Sequence, residues 1–439
     1  MSSKGVGAMR EENKPALVPR LRFPEFRDAG AWELKPLGQL AHILDEKAGN
    51  KKLTLLSVTS GVGLVSQIEK FGREIAGAQY KNYYVIQRDD FAYNKSSTKD
   101  YPEGFVARYQ SNEIGAVPNS IFTCFRINPG ASYPPFLDYL FFNNLHGKWL
   151  RRFVTVGARA HGSLNVDDND LLAAPVPVPP KAILLDEQKK IANCLSSLDD
   201  LITVETQKLD ALKTHKKGLM QQLFPAEGET VPRLRFPEFS DAEGWEKEWL
   251  EDLAKRGSGH TPSKAHPEYY DGGIKWVSLA DSKRLDAGLI TETTVEISAE
   301  GIANSSAALH PAGAVLLSRD AAVGKSAVMG KAMAVSQHFI VWTCNPTRLS
   351  NWFLYYSLQQ RKPVFERVAT GSTIKTIGLP FFIDLRIAAP TLPEQEVIAG
   401  CLHTLDECIT AQSQKIDALK THKKGLMQQL FPVPDEVRG

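Results

Sequence analysis

The chain has 439 residues, of which 43% are hydrophobic and 23% are charged, and its formal net charge at pH 7 is +2. This composition excludes a disordered chain, and the length suffices for two or three domains that each bury a core. Because no apolar run of the sequence approaches the roughly 20 residues that cross a bilayer, and because five cysteines without a CxxC pair fit a reducing compartment, we expect a cytoplasmic protein with no membrane partner.

A segment near the N-terminus repeats later in the chain. After a polar stretch that predicts a flexible tail at residues 1–17, the sequence VPRLRFPEF occupies residues 18–26 and returns unaltered at residues 231–239. A copy about half a chain length away indicates internal duplication, and a duplicated sequence predicts a repeated structure.

A first variable segment, residues 32–173, follows the first copy. Runs rich in aromatic and β-branched residues, such as 82–86 and 121–127, predict strands, and the aromatic stretch 135–150 predicts a helix. The acidic stretch 167–170 predicts a turn in front of a strand. We therefore expect a small mixed α/β domain with a twisted sheet.

A long helix is predicted next, at residues 186–223. Its apolar side chains alternate in steps of four and three, which is the heptad seam of a coiled coil, over about 38 residues and roughly 57 Å. The same pattern recurs between residues 398 and 430. The predicted seam consists of Ile191, Leu195, Leu198, Ile202, Leu209, Leu212, Leu219, Ile398, Leu402, Leu405, Ile409, Ile416, Leu419 and Leu426.

The two helices end in the second repeated segment. Residues 208–225 return at residues 415–432 with one change, Leu209 to Ile416. Because a helix this long cannot bury its apolar stripe on a compact domain, we expect the two copies to pair antiparallel about a pseudo-twofold axis. The alternative is two separate helices, each packed on its own domain.

The second variable segment, residues 245–388, repeats the plan of the first without repeating its sequence. It contains a predicted strand at 314–317 and an aromatic helical stretch at 352–360. If the helices pair antiparallel, the first VPRLRFPEF copy is expected to lie after the second helix, as the second copy lies after the first helix. The layout would then be circular.

These elements predict an α+β fold in which a long antiparallel two-helix coiled coil separates two mixed α/β domains with twisted sheets, related by a pseudo-twofold internal repeat. The constant segments form a frame that carries two variable domains. The predicted boundaries are a flexible tail at 1–17, the first variable domain with its repeat segment at 18–173, the frame with the first long helix at 174–230, the second variable domain with its repeat segment at 231–388, and the frame with the second long helix and a C-terminal tail at 389–439.

Several loops of both variable domains are rich in Lys, Arg, Ser, Thr and Gly. Such loops can bond phosphate oxygens and present side chains to base edges, although a loop of this composition is more often simply solvated. The candidate DNA-binding residues are Lys95, Ser96, Thr98, Lys99, Arg159 and His161 in the first domain, and Lys264, Arg319, Lys325, Ser372 and Lys375 in the second.

The sequence lacks the motifs of the common enzyme classes. It contains no GxxxxGK[ST] loop, no GxSxG elbow and no HExxH or clustered histidines. We therefore expect no catalytic residues, no metal site and no cofactor in this chain.

The doubled frame resembles the specificity subunits of type I restriction-modification systems. The doubled frame is quite specific to that family, whereas the variable domains alone would not be. The resemblance is carried by residues 234–239 and their N-terminal twin, by the helix endings at 216–225 and 423–432, by residues 393–399 with their echo at 186–192, and by residues 261–264 followed by 267–278.

The resemblance implies that each variable domain is a target recognition domain, which reads one half of a split site in double-stranded DNA, with the coiled coil as a ruler between them. It also implies two modification subunits that carry S-adenosylmethionine and restriction subunits that use ATP and Mg. The chain itself would be a non-catalytic subunit of a DNA adenine methyltransferase and endonuclease complex.

Two rival functions belong to other classes. The first is a duplicated coiled-coil scaffold that joins two protein-binding domains without DNA specificity, and a specific DNA footprint of the complex would exclude it. The second is a lone enzyme, which activity of the isolated chain would reveal.

The ruler hypothesis predicts the effect of a deletion. Removing one heptad from the first long helix should alter the gap between the half-sites and leave the half-sites themselves unchanged, because the readers stay intact while their support shortens. Mapping methylated adenines in a host genome measures both quantities. An unaltered gap would contradict the ruler.

Overall fold

The computed structural model resolves two compact units. One unit comprises Met1–Val204 with Ile416–Gly439, and the other comprises Glu205–Lys415, so each contains part of each long helix. We call them unit 1 and unit 2. The structure describes residues 16–59, 61–75, 78–154 and 164–432.

Unit 1 contains two four-stranded sheets and a two-stranded ribbon. All pairs are antiparallel except Thr54–Thr59 with Gly115–Val117. The first sheet has the strand order Ala41–Ile43, Phe122–Ile127, Phe91–Asn94 and Phe105–Arg108. The second sheet has the order Gly63–Ser66, Thr54–Thr59, Gly115–Val117 and Tyr84–Ile86. The ribbon pairs Glu33–Pro36 with Pro175–Val178.

The short helices of unit 1 surround these sheets. The α-helices are Leu37–Leu40, Gln67–Phe71, Pro134–Phe142, Leu145–Leu150 and Asp168–Leu172, and the 3-10 turns are Pro24–Phe26, Ala78–Asn82 and Lys181–Ile183. The predicted acidic turn at 167–170 is wrong, because Asp167 caps the last of these helices by accepting a hydrogen bond from Asn169 N at 2.8 Å. An aspartate at this position satisfies a free helix N–H, and the acidic first turn suits the helix dipole.

Unit 2 contains a five-stranded sheet, a four-stranded sheet and a ribbon. The five-stranded sheet has the strand order Ala254–Ser258, Phe339–Cys344, Val315–Ser318, Ser326–Met329 and Leu289–Ile290. The four-stranded sheet has the order Val295–Ile297, Tyr270–Val277, Met333–Val335 and Leu309–His310. The ribbon pairs Glu246–Trp249 with Arg386–Ala389. Its α-helices are Leu250–Leu253, Ala299–Ala303, Asn351–Gln360, Lys362–Val368 and Leu379–Ile383, with 3-10 turns at Pro237–Phe239, Pro267–Tyr269, Leu279–Asp281 and Arg284–Ala287.

The prediction of a single sheet in each domain is therefore too simple. The strands are short, and their buried residues fall into separate clusters. In unit 1, Phe91 and Phe125 belong to the main core, whereas Leu55 and Val85 belong to a small core on the other sheet. A third cluster joins Leu56 of one sheet to Cys124 of the other, so the two sheets pack against each other and the domain is layered.

The long helices are Leu184–Leu223 and Leu392–Leu430. In unit 2, Glu205 bonds Lys415 and Lys216 bonds Asp406, so partner numbers fall as residue numbers rise and the helices pack antiparallel. In unit 1 the first helix likewise packs against the second. All fourteen predicted seam residues are buried or half-buried.

The ends of the long helices enter the domain cores. In unit 1, Phe431 lies 5.4 Å from Phe136 between ring centroids, and in unit 2, Phe224 lies 5.4 Å from Phe353. All four rings are fully buried or nearly so. The Phe-Pro sequence that ends each helix therefore also anchors the helix in its domain. Within the described residues, no helix has the length and apolarity to cross a membrane.

The repeated VPRLRFPEF segments lie beside the helix ends, as predicted for a circular layout. In unit 1, Leu21 N donates to Gln429 O at 3.0 Å, and in unit 2, Leu234 N donates to Gln222 O at 3.0 Å. The first copy thus lies next to the end of the second long helix.

Each segment is also held by a buried ion pair. Arg22 contacts both carboxylate oxygens of Glu187 at 2.7 and 2.8 Å, and Arg235 contacts both oxygens of Glu394 at 2.7 Å. Both glutamates are almost fully buried near the start of a long helix. A planar guanidinium matches a carboxylate with two parallel bonds, which fixes distance and orientation together. We call these pairs the arginine clasps.

Breaking a clasp should destabilise the protein. We expect Arg22→Ala to lower the free energy of unfolding by about 3–5 kcal/mol, because it leaves Glu187 buried without its counter-charge. Urea unfolding of the full chain measures this. Arg20→Ala is the matched control, since Arg20 is exposed two residues earlier, and should change stability by less than about 0.5 kcal/mol. Equal effects of the two variants would contradict the role given to the clasp.

Candidate nucleic-acid interface

The candidate residues of unit 1 differ in their exposure and in whether they already have a bonding partner. Lys95 is half-buried, and its ammonium bonds the Asp168 carboxylate at 3.0 Å, so it is already neutralised. Ser96 is half-buried beside it, whereas Thr98 and Lys99 are exposed, and Thr98 Oγ1 accepts from the backbone N of Tyr101 at 3.1 Å. Lys99 is therefore the basic candidate that remains exposed here. Arg159 and His161 lie outside the described residues.

Unit 2 contains a cleft of about 670 Å³ that includes one candidate, Lys264. The side chains around it combine aromatic, hydroxyl, amide and basic groups. The cleft is lined by Thr261, Lys264, Tyr270, Trp276, Ser278, Leu279, Ala280, Val295, Ser336, Gln337 and His338. This mixture suits a ligand with flat rings and polar edges.

The loop that carries Lys264 is held in place from two sides. Thr261 Oγ1 donates to Gln337 Oε1 at 2.5 Å, and Tyr270 Oη donates to Pro262 O at 2.6 Å. Burial raises the pKa of Tyr270, so its hydroxyl stays protonated and able to donate. A fixed loop can present Lys264 at the mouth of the cleft with little loss of backbone freedom.

Three further loops join this one. The backbone N of Arg319 donates to His338 O at 2.9 Å, and Ala321 N donates to Lys375 O at 3.1 Å, next to Ser372 on the same exposed loop. Residues 261–264, 319–321, 336–338 and 371–377 therefore form one continuous surface, which we call the unit 2 loop surface. It brings together four candidates from three separate stretches of the sequence: Lys264, Arg319, and Ser372 with Lys375.

His338 is a member of this surface that the sequence did not reveal. Its Nδ1 lies 2.8 Å from Asp320 Oδ2, and since a carboxylate only accepts, Nδ1 donates. That bond orients the ring and leaves Nε2 available for another partner. Ser336 lines the same cleft with its hydroxyl buried and unpartnered within the described residues. The sequence feature that could have indicated this site is the run of three polar residues, 336–338, between two apolar strands.

The basic candidates of unit 2 are not equivalent. Within the described part of the chain, Lys264 is exposed and has no ion-pair partner, whereas Lys325 bonds Asp286 at 2.8 Å and Ser282 O at 3.0 Å. Arg319 is largely covered, and its Nε lies 3.6 Å from Asp320 Oδ1. Lys375 is also exposed and has no ion-pair partner among the described residues. Phosphate contact requires a free cation, so Lys264 and Lys375 are stronger DNA contacts than Lys325 and Arg319, and of the two only Lys264 lines the cleft.

Comparison with known proteins identifies this architecture. Residues 242–421 match the family model described as the type I restriction modification DNA specificity domain. A provisionally assigned type I restriction enzyme specificity subunit, MjaX of Methanocaldococcus jannaschii, is 25% identical over 333 residues, which cover 75% of this chain and 74% of the relative. The MjaVIII specificity subunit of the same organism is 24% identical, covering 67% of this chain and 69% of the relative.

The fold has a counterpart among solved structures. A chain from a structure concerned with complex assembly and conformational transition of the type I R-M system superposes with a TM-score of 0.56. The match covers 91% of this chain and 97% of that chain at 18% sequence identity, a level at which the likeness concerns the fold.

The difference between the two lysines gives a test. In complex with its modification subunit, Lys264→Ala should weaken DNA binding and lower the slope of log affinity against log salt by roughly 1, the loss of one phosphate contact. Lys325→Ala, the matched control, should leave the slope unchanged because that ammonium is already paired. Fluorescence anisotropy over a salt series measures both, and a smaller slope for Lys325→Ala alone would reverse the assignment.

Proposed function

We infer that this chain, which belongs to the specificity subunits of type I restriction-modification systems, selects the DNA sequence on which such a system acts. Membership of this family brings DNA and the modification and restriction subunits as its partners. The adaptor alternative, a coiled-coil scaffold without DNA specificity, has no support.

We further propose that the DNA site is bipartite and that each unit reads one half. The observation that carries this proposal is a repeated support beneath unlike loops. The clasp of Arg22 with Glu187 recurs as Arg235 with Glu394, whereas the unit 2 loop surface has no copy in the sequence of unit 1. A repeated clasp beneath two different sets of loops suits the recognition of two different half-sites.

Recognition at each half-site would divide between two kinds of contact. Free cations such as Lys264 would hold the phosphate backbone and set the register, and side chains with directed polar atoms would contact base edges. In unit 2, His338 is such a side chain, because Asp320 fixes its ring. With Nδ1 donating to Asp320, an uncharged ring would offer Nε2 as an acceptor, which would fit the amino group of adenine or cytosine in the major groove.

The chemistry is assigned to partner subunits. We propose that two modification subunits, one for each copy of the frame, methylate adenine with S-adenosylmethionine, and that restriction subunits use ATP and Mg. This chain would be non-catalytic and would act in the cytoplasm, where the DNA lies.

A domain exchange tests the proposal. A host expressing this chain with its modification subunit should carry methylated adenine in one split motif, read by sequencing that detects the modified base. Replacing residues 245–388 with the matching stretch of another family member should change one half of that motif and keep the other. The converse exchange of residues 32–173 is the control and should change the opposite half. An uninterrupted motif, or a change in both halves after one exchange, would refute the proposal.

A further inference from the structure

Three side chains in unit 2 connect the recognition domain to both long helices. Lys216 on the first helix lies 2.5 Å from Asp406 Oδ1 on the second, and Tyr356, on the helix Asn351–Gln360, donates from its hydroxyl to Asp406 Oδ2 at 2.8 Å. The Lys216 ammonium also lies 5.2 Å from the Tyr356 ring centroid. Each of the three therefore contacts the other two.

Unit 1 contains the same arrangement. Lys423 lies 2.5 Å from Asp199 Oδ1, and the hydroxyl of Tyr139 donates to Asp199 Oδ2 at 2.8 Å. The Lys423 ammonium lies 5.0 Å from the Tyr139 ring centroid, and Tyr139 belongs to the helix Pro134–Phe142. The corresponding distances in the two units agree within 0.2 Å. We call each set a Lys–Asp–Tyr triad.

The triads join constant sequence to variable sequence. The two lysines and the two aspartates belong to the duplicated long helices, each pair separated by 207 residues. The tyrosines belong to the variable segments, 217 residues apart and with unlike neighbours. Two recognition domains that differ in their loops thus place the same hydroxyl on the same carboxylate.

The chemistry of the triad favours one orientation of the domain. Tyr356 is fully buried, and burial beside Asp406 raises the pKa of its phenol, so the hydroxyl stays protonated and donates. The aspartate uses one oxygen for the ammonium and the other for the phenol, and the ammonium also faces the ring, where a cation is attracted. Rotating the domain on the helices would break both contacts of the phenol at once.

We propose that the Lys–Asp–Tyr triads lock each recognition domain in one orientation on the helix pair, and that this orientation sets how strictly the complex requires one gap between half-sites. The tyrosines are positioning residues that act through the domain they hold. This inference rests on the proposed function, because only a reader of split sites has a gap requirement.

The test uses the complex of the full chain with its modification subunit and DNA duplexes that differ only in gap length. Tyr356→Phe removes one hydroxyl and keeps the ring. We expect methylation at gaps one base pair longer or shorter to rise roughly tenfold relative to the natural gap, the factor expected for losing one hydrogen bond to a charged group. Tyr139→Phe should act in the same direction, and neither variant should change the half-site sequences.

Tyr355→Phe is the matched control. Tyr355 is the next residue, is almost fully buried, and its hydroxyl makes no side-chain hydrogen bond within the described part of the chain. It should keep the natural gap profile. The thermal midpoint of each variant is measured in parallel. A lower midpoint for Tyr356→Phe with an unchanged gap profile would overturn the lock and leave only a contribution to stability.

The outcomes separate this inference from the proposed function. If the natural complex methylates a split site and Tyr356→Phe keeps the natural gap profile, the lock is wrong and the bipartite reader stands. If the natural complex shows no split site, the proposed function fails first. A relaxed gap in Tyr356→Phe and Tyr139→Phe, with Tyr355→Phe unchanged, supports both.

Discussion

The structure depends on a buried arginine–glutamate pair, made once in each unit. Glu187 and Glu394 lie at the starts of the long helices, where burying a carboxylate is costly unless a cation meets it. Arg22 and Arg235 each bond the carboxylate of their glutamate with two parallel hydrogen bonds. These bonds fix the position of the segment that carries each arginine. A pair of this kind contributes to the choice of a single arrangement more than to net stability. The duplicated frame is consistent with that choice being made twice.

This constant support explains how the loops can vary. In unit 2 the clasp, the triad and the Phe224–Phe353 contact all involve the long helices, and none involves the cleft. The unit 2 loop surface instead rests on its own backbone hydrogen bonds. Changes in the loops therefore leave the contacts of the frame intact, and this allows one repeated support to carry two unlike sets of loops.

The sequence was most informative where structure repeats. Periodic apolar residues located both long helices, and the copied segments located the circular layout, because both signals are local or duplicated. The clasp partners were not predictable, since nothing in the sequence links Arg22 to Glu187. The convergence of four loops, the role of His338 and the neutralised state of Lys325 also depend on tertiary packing. Composition selected Lys325 and Lys264 alike, but only the folded structure distinguishes a paired ammonium from a free one.

The bond from Leu21 to Gln429 has a further consequence. It brings the early part of the chain beside the end of the last helix. The contacts of the frame therefore do not require the segments to follow one another along the chain in their present order. A short linker between these two regions, with the backbone opened instead within the exposed stretch 227–231, would produce a permuted protein in which Leu21 still bonds Gln429 and Leu234 still bonds Gln222.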